Sequence, residues 1–185
     1  MLLNCQFVKN SGTGVWNRDS NPTFINCTIA ENGGYGIYAY YSYPTIRNSI
    51  AWGNAAGSLQ IYWNGGFAVT FSDIQGGWSG PGNINANPAF ADSGANDYHL
   101  TYGSACRDVG DNSILPPDLL VDFEGDPRIA NNTVDMGADE FHPHLYYLGS
   151  AVPGGSVTVK VIGERFVSPV TLGLGRAVRD TPLST

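Results

Sequence analysis

Short runs of alternating apolar and polar residues, broken by Asn, Gly and Pro, recur along the first part of the chain at one fixed spacing. Asn4-Cys5-Gln6-Phe7-Val8-Lys9-Asn10 returns as Asn26-Cys27-Thr28-Ile29-Ala30-Glu31-Asn32. It returns again as Asn48-Ser49-Ile50-Ala51-Trp52-Gly53-Asn54, each copy 22 residues after the last. The same offset carries Gly14-Val15-Trp16 onto Gly36-Ile37-Tyr38 and Ser58-Leu59-Gln60, and Pro22-Thr23-Phe24 onto Pro44-Thr45-Ile46. An altered fourth copy, Val69-Thr70-Phe71-Ser72-Asp73-Ile74, follows one residue late. The period is too short for a pair of helices and lacks the leucine pattern of leucine-rich repeats. Each period instead holds runs of strand length separated by turn residues. The expected unit is one coil of a parallel β-helix, in which every run pairs with its equivalent in the next coil, about 4.8 Å away.

Alternation then assigns faces. Cys5/Cys27/Ser49, Phe7/Ile29/Ala51 and Val15/Ile37/Leu59 should point into the coil. Trp16/Tyr38/Gln60 and Arg18/Tyr40/Tyr62 should point out. The columns Asn4/Asn26/Asn48 and Asn10/Asn32/Asn54 read as ladders at turns, where a side-chain amide can bond its neighbour and Asn tolerates left-handed backbone. Cys5 and Cys27 fall on neighbouring rungs, where a disulfide is conceivable. An inward stack of free thiols is the expected state, since free Cys packs as a small hydrophobe.

These motifs, with Ser72-Asp73-Ile74-Gln75-Gly76-Gly77, resemble bacterial secreted right-handed parallel β-helix proteins of the pectate-lyase-like fold. The resemblance continues through Asn87-Pro88-Ala89-Phe90, Asp97-Tyr98-His99-Leu100, Gly103-Ser104-Ala105-Cys106 and Val134-Asp135-Met136-Gly137-Ala138-Asp139-Glu140-Phe141. Those segments are similar to the part of such proteins where the stack closes. The fold class implied is all-β: a right-handed parallel β-helix with about 22 residues per coil over residues 1–141. The resemblance also implies a secreted or cell-surface location, and a chain that is the C-terminal portion of a longer protein. The first coil would then present an open sheet edge, a surface for self-association.

Residues 142–185 change character. Ser156–Ile162 alternates like a strand, and Val170-Thr171-Leu172-Gly173-Leu174 is expected to be another. This β-strand extension reads as the truncated start of a second small β domain, because so few strands build little core alone.

Composition narrows the functional classes. The chain has 24 Gly and 11 Pro in 185 residues, and only 14% charged residues, which suits short strands with many turns. The net charge is −7 and no basic run occurs, so neither nucleic acid nor an anionic membrane surface is an expected partner. No apolar stretch approaches the roughly 20 residues of a membrane span. Met1–Cys5 lacks the basic and apolar regions of a signal peptide.

Candidate chemistry is sparse. Uronate lyases of this fold class need a Lys or Arg base beside a neutralising cation or acidic cluster, and glycosidases need two facing carboxylates. Within the coils the carboxylates are Asp19, Glu31 and Asp73 and the bases Lys9, Arg18 and Arg47, of which Glu31, Arg47 and Asp73 are the candidates for such roles. The sequence sets no two of them face to face, and any triad would have to recruit His99, His142 or His144. Asp122-Phe123-Glu124-Gly125-Asp126 has a calcium-loop flavour without the ligand order of an EF-hand. Asp122, Glu124 and Asp126 are therefore the metal candidates, set against an expectation of no cofactor and a polar cap whose carboxylates bond turn amides. His142 and His144 could share one side of an extended run. The stronger pattern is aromatic. Trp16, Tyr38, Tyr40, Tyr62 and Trp63 should line one outward face, with Tyr41, Tyr43 and Trp52 nearby, and aromatic rings stack on sugars. The expected function is a non-catalytic extracellular module contacting polysaccharide or cell-surface polymer. The alternatives are a polysaccharide lyase or glycoside hydrolase, and a structural stalk.

Overall fold

The structure is a computed structural model that describes residues 1–142, 145–147 and 159–161. The first compact unit runs from Met1 to Phe141. Its first coil contributes β1 (Leu2–Leu3), β2 (Gln6–Val8) and β3 (Val15–Arg18). The second contributes β4 (Thr23–Ile25), β5 (Thr28–Ala30) and β6 (Tyr35–Tyr40), and the third β7 (Thr45–Arg47), β8 (Ile50–Trp52) and β9 (Gly57–Tyr62). A partial fourth adds β10 (Ala68–Thr70) and β11 (Asp73–Ile74). Equivalent strands pair in parallel, giving sheet A (β1-β4-β7-β10), sheet B (β2-β5-β8-β11) and sheet C (β3-β6-β9). The register keeps the 22-residue offset, as in Phe24↔Ile46 and Ile29↔Ala51, and slips by one residue into the fourth coil, as in Ile46↔Val69 and Ile50↔Asp73.

The inward columns pack as alternation requires. Phe24, Ile46, Val69, Ile29, Ala51, Ile74 and Ile37 form one buried cluster inside the coils, with Phe7, Val15 and Leu59 packed against it. Cys27 lies in the same cluster, and Cys5 and Cys27 are both free thiols. Burial pushes the Cys27 thiol up to about 12, so it behaves as a hydrophobe rather than a nucleophile.

One Asn column is a true ladder. Asn10 Nδ2 donates to Asn32 Oδ1 at 2.8 Å, and Asn32 Nδ2 donates to Asn54 Oδ1 at 2.8 Å. The ladder lies against a glycine column. A Cβ on Gly36 would stand 2.8 Å from Asn54 Nδ2 and 2.5 Å from the Ser58 carbonyl, so only glycine fits there. The other column does something different from the expectation. Asn4, Asn26 and Asn48 have φ of 47°, 50° and 47°, the left-handed turn that Asn tolerates. Their amides do not bond one another, because each donates sideways to a later part of the chain: Val121, Asp135 and Asp111 carbonyls, respectively.

That later part has two roles. Residues up to about Asn85 finish the stack: Ile84 bridges Asp73 in parallel, Phe71 N–H donates to Pro81 O, and Trp78 packs against the inner core. The chain then forms β12 (Phe90–Asp92) and β13 (Asp97–Leu100), an antiparallel pair, and runs back along the outside of sheet B. Its contacts to Asn48 at Asp111, to Asn4 at Val121 and to Asn26 at Asp135 show that it flanks every coil rather than only closing one end. The outward column Thr28/Ile50/Asp73 is therefore buried. Ile50 joins Leu100, Cys106 and Met136 in a second core, with Trp52, Phe90 and Phe141 packed against it. Gly137 makes the closest approach. Its φ is +102°, and a Cβ there would stand 2.8 Å from Ile50 Cδ1.

Arg128 anchors this returning segment. Only 1% of its side chain is exposed, yet it donates to the carbonyls of Ala138 (2.9 Å) and Asp139 (3.0 Å) and to Glu140 Oε2 (3.0 Å).

The second unit comprises His142–Thr185. Within it β14 (Leu145–Tyr147) pairs antiparallel with β15 (Val159–Val161), inside the strand expected at Ser156–Ile162. The strand expected at Val170–Leu174 lies outside the described residues.

Candidate functional site

Sheet C carries the aromatic strip. Trp16 and Tyr38 occupy one register column, Tyr40 and Tyr62 the next outward one, and Tyr41 and Trp63 share the left-handed turn that follows the strand. The 22-residue period places rings of adjacent coils over one another. Trp16 stacks on Tyr38 with centroids 4.4 Å apart, Tyr40 on Tyr62 at 5.8 Å, and Tyr41 on Trp63 at 6.5 Å with planes 11° apart. Tyr38 and Tyr62 link the first two columns at 5.9 Å, and Tyr62 meets Trp63 edge-on. Tyr35 joins the strip 5.8 Å from Tyr38. All five residues expected on this face are brought together. Trp52 is not among them, because it points from sheet B into the second core.

The rings are not equivalent as contact surfaces. Inside the ladder each face covers its neighbour, so Tyr38 and Tyr40 present mainly edges and hydroxyls. Trp16, 62% exposed, has ring contact with Tyr38 alone among the described residues, and Trp63 is 66% exposed. Polar groups flank them: Arg18 lies 5.4 Å over the Tyr40 ring, and Tyr43 Oη donates to Asn64 Oδ1 at 2.7 Å.

Glu31, Arg47 and Asp73 do not meet. Glu31 follows β5 and accepts from Ser93 Oγ (2.5 Å) and Tyr98 Oη (3.3 Å), with Lys9 Nζ at 3.8 Å. Arg47 is exposed on sheet A. Asp73 is fully buried and accepts from Ala86 N–H and the Cys106 thiol. No hydrogen bond or ion pair joins any two of the three among the described residues.

The Asp122–Asp126 loop is ordered by its own first carboxylate. Asp122 Oδ1 accepts the N–H groups of Glu124, Gly125 and Asp126, and Oδ2 accepts from Glu140 N–H. With both oxygens accepting backbone N–H groups, Asp122 caps this turn. The turn instead delivers Glu124 to a histidine. His99 Nε2 lies 2.8 Å from Glu124 Oε2 and 3.9 Å from Asp139 Oδ1, while Nδ1 lies 2.5 Å from Asp97 Oδ1. Asp97 and His99 stand two residues apart on β13, on the face opposite buried Tyr98 and Leu100. Burial pulls the His99 pKa down, but the bonds to Glu124 and Asp97 and the charge of Asp139 outweigh it and hold the imidazole at about 9. Burial likewise pushes Asp139 up to about 6, against the pull of Leu100 N–H and His99. These side chains line a pocket of about 250 Å³ together with Gln6, Tyr98 and Phe123. Sequence reasoning named His99 and Glu124 separately and missed Asp139. The available signal was Asp97-Tyr98-His99-Leu100, a strand with two ionisable groups on one face. His144, expected beside His142, lies outside the described residues.

Residues 1–74 match the family model described as right handed beta helix region, which ends with β11. No curated protein and no solved structure matches the chain. The coils are those of a right-handed β-helix repeat, while the returning segment, which supplies all of the pocket lining but Gln6, lies beyond the matched residues. No helix among the described residues is long and apolar enough to cross a membrane.

Proposed function

We propose that the coils form an extracellular module that contacts polysaccharide or cell-surface polymer through the strip on sheet C, without catalysis there. The observation that carries this reading is the exposure of Trp16 and Trp63 at the two sides of a continuous ring ladder. A contiguous exposed apolar surface marks an interaction site. Indole faces suit the apolar face of a pyranose, and the Tyr hydroxyls and Asn64 beside them can bond sugar hydroxyls. An acidic chain without a basic patch gives nucleic acid no counterpart.

Affinity electrophoresis in gels containing pectin, alginate, xylan or cellulose tests this. The native chain should be retarded in at least one gel. Trp16→Ala with Trp63→Ala should weaken retention at least tenfold, since each ring contributes on the order of 1 kcal/mol and about 1.4 kcal/mol is one decade. Unretarded migration of the native chain in all four gels would refute polymer contact by the strip. Release of unsaturated or reducing sugars would instead favour the lyase or hydrolase reading.

A further inference from the structure

We propose that His99, Glu124 and Asp139 form a binding site for one divalent transition-metal cation of the zinc type. Their nearest ligand atoms, His99 Nε2, Glu124 Oε2 and Asp139 Oδ1, converge in the pocket beside β13. The three atoms lie within 4.8 Å of one another. A tetrahedral cation with bonds of about 2.0–2.1 Å needs separations of about 3.3 Å. The His99–Glu124 and His99–Asp139 distances, 2.8 and 3.9 Å, bracket that value. Glu124 is about half exposed on its loop and can make the remaining adjustment.

A second observation points to a ligand independently of the clustering. Asp139 is 6% exposed, and its Oδ2 is held by Leu100 N–H at 3.1 Å. Asp139 lines the pocket, and its Oδ1 accepts no hydrogen bond among the described residues, with His99 Nε2 3.9 Å away. A carboxylate on a side chain this buried is costly to keep charged unless something positive meets it.

The surrounding bonds orient the set as outer contacts orient metal ligands. Asp97 Oδ1 fixes the Nδ1 side of His99, which turns Nε2 toward Glu124 and Asp139. Asp122 shapes the turn that presents Glu124. Three carboxylates, Asp97, Glu124 and Asp139, surround one imidazole, and a dication in place of the Nε2 proton offsets more of that charge. One imidazole nitrogen with two carboxylates suits zinc or its neighbours better than calcium, which takes six to eight oxygens. Three protein ligands leave at least one coordination position open to the pocket.

The test uses the full chain, stripped with EDTA and titrated with ZnCl2 or CaCl2 alone, followed by calorimetry and thermal melting. One zinc ion per chain should bind, the melting temperature should rise with zinc concentration, and calcium should not saturate. Asp97→Asn should weaken zinc binding ten- to a hundredfold. His99→Gln should abolish it, and Glu124→Gln, on an exposed loop that tolerates change, should lower affinity at least tenfold if His99→Gln does not fold. Glu31→Gln should leave it unchanged. A native chain without saturable zinc uptake would overturn the proposal. So would uptake that survives both His99→Gln and Glu124→Gln.

Discussion

The Cys106 thiol donates to Asp73 Oδ2 across 3.2 Å, in the layer between sheet B and the segment that returns over it. Asp73 stands in register with Ile50, so a carboxyl occupies a column that is otherwise part of an apolar core. Burial raises both groups, Asp73 to about 6 and the Cys106 thiol further still.

This pair makes stability fall as pH rises. The folded-state pKa of Asp73 lies above the unfolded value of about 3.9, so the native state binds the proton more tightly. Its contribution is largest below about pH 4, is lost as pH climbs through about 6, and amounts to about 3 kcal/mol for a shift of two units. Asp73→Asn should remove that part of the slope and raise the melting temperature at pH 8. Melting curves of both forms between pH 4.5 and 8 measure it. A variant less stable than the native chain at pH 8 would contradict the account.

The Asn ladder should be a stability element. Asn32 is buried, donates to Phe7 O and Asn54 Oδ1, and accepts from the backbone and side chain of Asn10. Asn32→Leu leaves several of these without partners, at roughly 1–3 kcal/mol for each buried group. Denaturant unfolding should show a loss of at least about 2 kcal/mol. Asn10→Leu, at the exposed end of the ladder, should cost less.

Arg128 should be indispensable for the returning segment but replaceable together with its partner. Arg128→Met strands the buried Glu140 charge and should cost about 3–5 kcal/mol. Adding Glu140→Gln should recover part of that loss, because the neutral amide no longer needs a cation. A double variant no more stable than the single one would show that the Arg128 bonds to backbone carbonyls, not the ion pair, dominate.

Within the strip, ring position should rank the effects. Trp16→Ala removes an open indole face, whereas Tyr40→Ala removes a ring covered on one face by Tyr62. Polymer retention should therefore fall more for Trp16→Ala. Ile37→Asp, one residue from Tyr38 but pointing inward, should unfold the chain outright. Circular dichroism and gel retention, read together, separate these cases.

The sequence alone determined the coils. Each repeat interacts chiefly with the identical positions 22 residues away, so strand pairing, inward columns and stacked rings all leave a periodic trace. Ile29 over Ala51, Asn10 over Asn32 and Trp16 over Tyr38 follow from that trace without further information. Tertiary structure decided what has no period. Asn26 and Asn48 look equivalent to Asn10 and Asn32 in the repeat, yet their amides serve Asp135 and Asp111, 109 and 63 residues away. Ile50 and Asp73 are outward by alternation and buried in fact, because a non-repeating segment covers sheet B. His99, Glu124 and Asp139 come from three separate stretches of that segment, joined by a strand, an Asp122-capped turn and the anchor at Arg128. Long-range contacts made once carry no internal copy to be compared with, and only the folded path of the chain brings such residues within bonding distance.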